Sequence, residues 1–98
     1  MSNEKIATIL SLETDDYQKR GGNYPASGIP DTIDVYKDSD RQYSIAAEFK
    51  NTPENKAKSF MLNLAKKKGL TVVGSPESWQ NGDYVDDWVT AVIYVSVE

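Results

Sequence analysis

One segment of this chain has few conformations open to it. From Thr52 the sequence runs TPENKAKSFMLNLAKKKG, and Ala57, Phe60, Met61, Leu64 and Ala65 recur at the three- and four-residue spacings of one helix face. Thr52 is a suitable N-cap, and Pro53 follows at the first helical position, where a missing N–H costs nothing. Lys66, Lys67 and Lys68 fill the last turn, and Gly69 stands where a left-handed residue closes a helix. The pattern predicts a helix over 53–68.

Around this helix the period falls to two. In Thr32–Lys37, Ile33 and Val35 alternate with Asp34 and Tyr36, while Tyr43, Ile45, Ala47 and Phe49 share one side of the next segment. The short polar turn Asp38-Ser39-Asp40 between them makes the pair a hairpin. Residues 5–12 are expected as a first strand, Leu70–Gly74 as a short strand after the helix, and about 84–97 as the last and longest. Two connections are long. Residues 13–31 hold three glycines and two prolines, and 75–83 carry Pro76 and Asn81-Gly82.

Three strands, a helix and two more strands describe an α+β fold. The expectation is a single small domain over 1–98, with one helix on a curved, mainly antiparallel five-stranded sheet or an OB-like open barrel. Ninety-eight residues are enough for one modest core. The apolar and charged fractions, 39% and 27%, exclude a wholly disordered chain.

The side chains that catalysis most often uses are missing. The chain has no Cys and no His, so it offers no thiolate, no disulfide and no imidazole base or ligand. Carboxylates come in pairs at Asp15-Asp16, Asp38 with Asp40, and Asp86-Asp87, but neighbours on a regular strand point to opposite faces. Around Asp38, Gln42 and Tyr43 stand where a calcium loop needs a ligand and a turn glycine. Lys19-Arg20-Gly21-Gly22 lacks the spacing of either common phosphate loop. The chain is therefore expected not to be an enzyme and to carry no cofactor or metal.

Charge and aromatic residues are more informative. The net charge is −4, a poor match for duplex DNA or an anionic membrane. Residues 50–68 nevertheless carry six lysines against Glu54, a local +5 that fits a solvated helix with cations near its C-terminus. Six Tyr and two Trp stand against two Phe, a skew toward rings suited to half-wet surfaces. On the last strand, Val89, Ala91, Ile93, Val95 and Val97 form one face, with Trp88, Val92 and Tyr94 on the other. Tyr17, Tyr24 and Trp79 fall in the two long connections.

Two binding functions follow. The first is a small acidic protein-binding module, a regulator or inhibitor of the kind mobile elements and phages carry, that acts by occluding a partner surface. Its anchors would be Tyr17, Tyr24, Trp79, Trp88 and Tyr94, with Asp15, Asp16, Asp83, Asp86 and Asp87 as a steering rim. The second is single-stranded nucleic-acid binding, with Tyr36, Tyr43, Trp79 and Trp88 stacking on bases and Lys19, Arg20, Lys37 and Arg41 on phosphates. A third role, structural subunit of a homo-oligomer, would use the last strand as an edge or face contact. No apolar run approaches the length of a membrane span, and the lack of Cys and of a secretory leader gives a cytoplasmic expectation.

Overall fold

A computed structural model of the chain describes residues 2–13, 28–81 and 88–97. In chain order the elements are α1 (Ser2–Ser11), β1 (Pro30–Lys37), β2 (Gln42–Lys50), α2 (Glu54–Lys67), β3 (Thr71–Val72), β4 (Glu77–Asn81) and β5 (Trp88–Ser96). Two helices pack on one face of an open, antiparallel five-stranded sheet. The strand order is β1-β2-β5, and the far edge of β5 is shared by β3 and β4. β3 pairs with its C-terminal end and β4 with its first half. With β1 at one edge and β3 and β4 at the other, the described sheet does not close into a barrel.

The hairpin behaves as its alternation predicts. Ile33 and Val35 pair with Ala47 and Ile45, and Lys37 pairs with Tyr43. In the turn, the Asp38 and Ser39 N–H groups donate to the Gln42 carbonyl at 3.0 and 3.1 Å, and Lys37 and Asp40 form an ion pair at 3.4 Å. Asp31 is an extra residue in β1, since Pro30 opposes Phe49 while Thr32 opposes Glu48. This bulge returns Pro30 to the core side, where it is fully buried opposite Phe49.

α2 matches the predicted helix within a residue at each end, and Ala57, Met61, Leu64 and Ala65 are its buried residues. Its C-terminus closes as a Schellman motif. Gly69 at φ 72° donates to the Lys66 carbonyl at 3.2 Å, and Leu70 donates to that of Ala65 at 2.8 Å. The N-terminus differs from expectation. Pro53 occupies the cap position without a side-chain cap bond, and the Thr52 hydroxyl is used elsewhere. It accepts the Gly28 N–H at 2.8 Å and donates to the Lys50 carbonyl at 2.9 Å, tying the approach to β1 onto the link before α2.

Residues 5–12, expected as a strand, belong instead to α1 and the turn after it. Ile6, Ile9 and Leu12 recur at three-residue spacing, and Ile9 and Leu12 are fully buried in the common core. After the helix, Glu13 accepts the Val35 N–H at 3.2 Å, which occupies a backbone donor of edge strand β1. The second correction is β4, which lies inside the expected 75–83 connection. The core runs from Ile9 and Leu12 through Tyr43, Ile45 and Phe49 to Met61, Leu64, Ile93 and Val95. Phe60 packs against it, its ring edge-on to Phe49 at 5.6 Å and 74°. No helix among the described residues is long and apolar enough to cross a membrane.

Candidate functional site: the open face of the sheet

Because both helices lie on one side, the other face of the sheet is left for whatever its side chains can do. Pairing fixes which residues stand on it. One row across the strands β1, β2, β5 and β4 reads Asp34, Ala46, Val92, Glu77. The next row reads Thr32, Glu48, Thr90, Trp79. On the other side lie Tyr36, Ser44 and Tyr94. Ser44, Ala46, Thr90 and Val92 are short side chains on the two middle strands, and the face is hollow over them, between Tyr36 on β1 and Trp79 on β4. The concavity has a volume of about 430 Å³ and is lined by Asp34, Tyr36, Ser44, Ala46, Glu48, Trp79, Thr90 and Val92. Its two aromatic walls are exposed, Tyr36 by 56% and Trp79 by 47%, whereas Ser44, Thr90 and Val92 on the floor are buried.

Hydrogen bonds hold Glu48, Asp38 and Glu77 on this face. Glu48 accepts from the Thr32 hydroxyl at 3.4 Å and from the Asn81 amide at 3.5 Å, on different oxygens. The same Asn81 amide also donates to the Thr90 hydroxyl. Ser44 donates to Asp38 at 2.5 Å, and the Tyr94 hydroxyl donates to Glu77 at 2.6 Å. The bond to Glu77, helped by desolvation and by the negative charges of Glu77 and Asp38, holds the Tyr94 phenol above its usual value of 10.0. Lys50 lies over the Trp88 ring at 5.6 Å, a cation–π contact at the end of the face. Among the described residues, no cluster of three or more acidic side chains is placed to hold a metal ion. A second hollow of about 250 Å³ near the start of α2, lined by Asn51, Thr52, Pro53, Gln80 and Val89, has no charged wall.

The structure brings together part of the expected site. Trp79, Trp88 and Tyr94 share the open face, and Tyr36 joins them. Trp79 sits on a strand, not on a loop tip. Tyr43 is a correction. It faces the helices and is buried, so its ring is not available for stacking beside Tyr36. Lys37 and Arg41 flank the β1–β2 turn, with Lys37 bound to Asp40. Asp15, Asp16, Tyr17, Lys19, Arg20, Tyr24, Asp83, Asp86 and Asp87 lie outside the described residues. β5 pairs with neighbours along both edges, so it offers no long free edge to a second copy; its outward face remains open.

Sequence reasoning missed Asp34, Ala46, Glu48 and Glu77 as members of a site. For Asp34, Ala46 and Glu48 the signal was present in the hairpin, because the set opposite Ile33, Val35, Ile45 and Ala47 must share a face. Glu77, in contrast, lies on β4, which the pattern did not show as a strand. No protein-family model, curated protein or solved structure matches the chain.

Proposed function

We propose that the protein is a non-enzymatic binding module that occludes a patch on a protein partner with the open face of its sheet. The observation that carries this reading is the hollow between Tyr36 and Trp79. A solvated sheet face ordinarily carries polar side chains, yet this one presents Tyr36, Trp79, Ala46 and Val92 around one concavity, with Trp88 and Tyr94 elsewhere on the same face. Exposed amphipathic rings around a floor of short side chains are the composition of an interface centre. Glu48, Glu77 and Asp38 each take a donor from a neighbour, an arrangement suited to fixing a surface. A chain without cysteine needs no oxidising compartment, which supports a cytoplasmic setting.

The test is site-specific photo-crosslinking in the native host extract, with the reactive residue placed at Tyr36, at Trp79, or at Lys67 on the outer side of α2. A single protein adduct from Tyr36 and Trp79 is expected. It should resist nuclease, be absent from Lys67 and be competed by unlabelled protein. Adducts that disappear with nuclease would move the assignment to single-stranded nucleic acid. Equal labelling from Lys67, or none from the face, would end the reading.

A further inference from the structure

The row Asp34–Ala46–Val92–Glu77 has a carboxylate at each end and two apolar side chains between. From it we infer that the occupant of the open face is a cationic amphipathic helix of a protein partner, lying along β2 and β5. The inference rests on the protein-binding reading above and adds the chemistry of the partner.

The dimensions fit a helix. Three strand spacings separate β1 from β4, about 14 Å of backbone. A helix with its side chains is about 10 Å across and fits between walls at that spacing. The floor of Ser44, Ala46, Thr90 and Val92 is short enough for close approach, and Tyr36 and Trp79 stand on the two outer strands as flanks. The two longer side chains beside the floor on β2 and β5, Glu48 and Tyr94, are tied to Thr32 and Glu77 on those outer strands. An apolar stripe on the helix would rest on Ala46 and Val92.

The charges fit a cationic one. Asp34, Asp38, Glu48 and Glu77 belong to this face or its rim, against Lys50. Arginine or lysine on one flank of the helix would reach Asp34, and on the other Glu77. Glu77 and Glu48, already held by hydroxyl or amide donors, lose less freedom on binding, which favours charge pairing over the solvated state. Asp34 is exposed and within reach of a cation on the opposite flank. A second copy of this chain is a poorer occupant. Its own lysine-bearing helix, α2, has Ala57, Met61, Leu64 and Ala65 committed to its own core.

The experiment uses the full-length protein and two synthetic helical peptides of identical apolar pattern, one with Arg on both flanks and one with Glu. Binding is read by tryptophan fluorescence and by amide chemical shifts. The Arg peptide should bind saturably, weaken with salt, and move the amides of β2, β4 and β5 around Ala46, Val92 and Trp79. Asp34→Lys and Glu77→Gln should each lower its affinity, the charge reversal by about tenfold. Asp34 is exposed, so circular dichroism of Asp34→Lys should be unchanged. Equal binding of the Glu peptide would overturn the proposal. So would shifts confined to α2, no saturation by about 1 mM, or concentration-dependent self-association that blocks the peptide. If both peptides fail while Tyr36 and Trp79 still crosslink to a protein, the helix is wrong and the binding face stands.

Discussion

Thr52 illustrates how one side chain can matter more for connection than for the element beside it. Its hydroxyl serves Gly28 and Lys50 together, and it is nearly buried. Thr52→Val keeps the shape and leaves both backbone groups without that partner, so stability should fall by about 1–2 kcal/mol in urea denaturation. Gly69 has open space where a Cβ would stand, so its constraint is φ 72° alone. Gly69→Ala should cost about 1 kcal/mol, and a melting temperature equal to the parent's would contradict the helix closure described. Tyr94 makes a pH-dependent contribution. Its folded-state value lies above the unfolded one. The stabilisation is therefore complete below the ordinary tyrosine value and is lost as pH rises through the folded value. In a phenolate absorbance titration, Glu77→Gln should bring one tyrosine back toward 10.0.

At the scale of elements, legibility followed burial on one side. α2 could be read because its stripe, its closing glycine and its lysines agree, and the β1–β2 hairpin because hydrophobic alternation and a polar turn coincide. α1 was harder. Ile6, Ile9 and Leu12 are so few that a short apolar run fits a strand equally well, and their helical spacing shows only once Ile9 and Leu12 are seen to meet the same core. β4 has no apolar pattern because Ser78 and Gln80 lie on the side of the α2 N-terminus, where the Ser78 hydroxyl donates to Glu54 at 2.7 Å. Tyr43 failed as a stacking residue for a reason the hairpin already contains: the pairing that puts Ile45 inside puts Tyr43 inside with it. Phe60 is only partly buried but edge-on to Phe49. Phe60→Ala should cost about 2 kcal/mol, less than a fully buried ring, and should slow no binding at the opposite face.

The whole molecule divides its labour between two sides. Lysines of α2 lie on the helix side, and Asp34, Glu48, Glu77 and the exposed rings lie on the other. Trp79→Ala should therefore leave the melting temperature within about 2 °C of the parent while weakening the crosslink made from position 36, since exposed positions away from the core change stability little. Phe49→Ala should do the reverse and lower stability by about 3–5 kcal/mol. The division depends on β5, which pairs with β2, β3 and β4 and follows all of them in sequence. During synthesis, a chain that has reached only β4 holds a two-stranded hairpin, which is marginal in water, and two short segments with nothing to pair with. The floor residues Thr90 and Val92 arrive with the same strand that supplies Ile93 and Val95 to the core. Core and open face are thus completed in one step, so an unfinished copy emerging from the ribosome presents no assembled face for any partner to recognise.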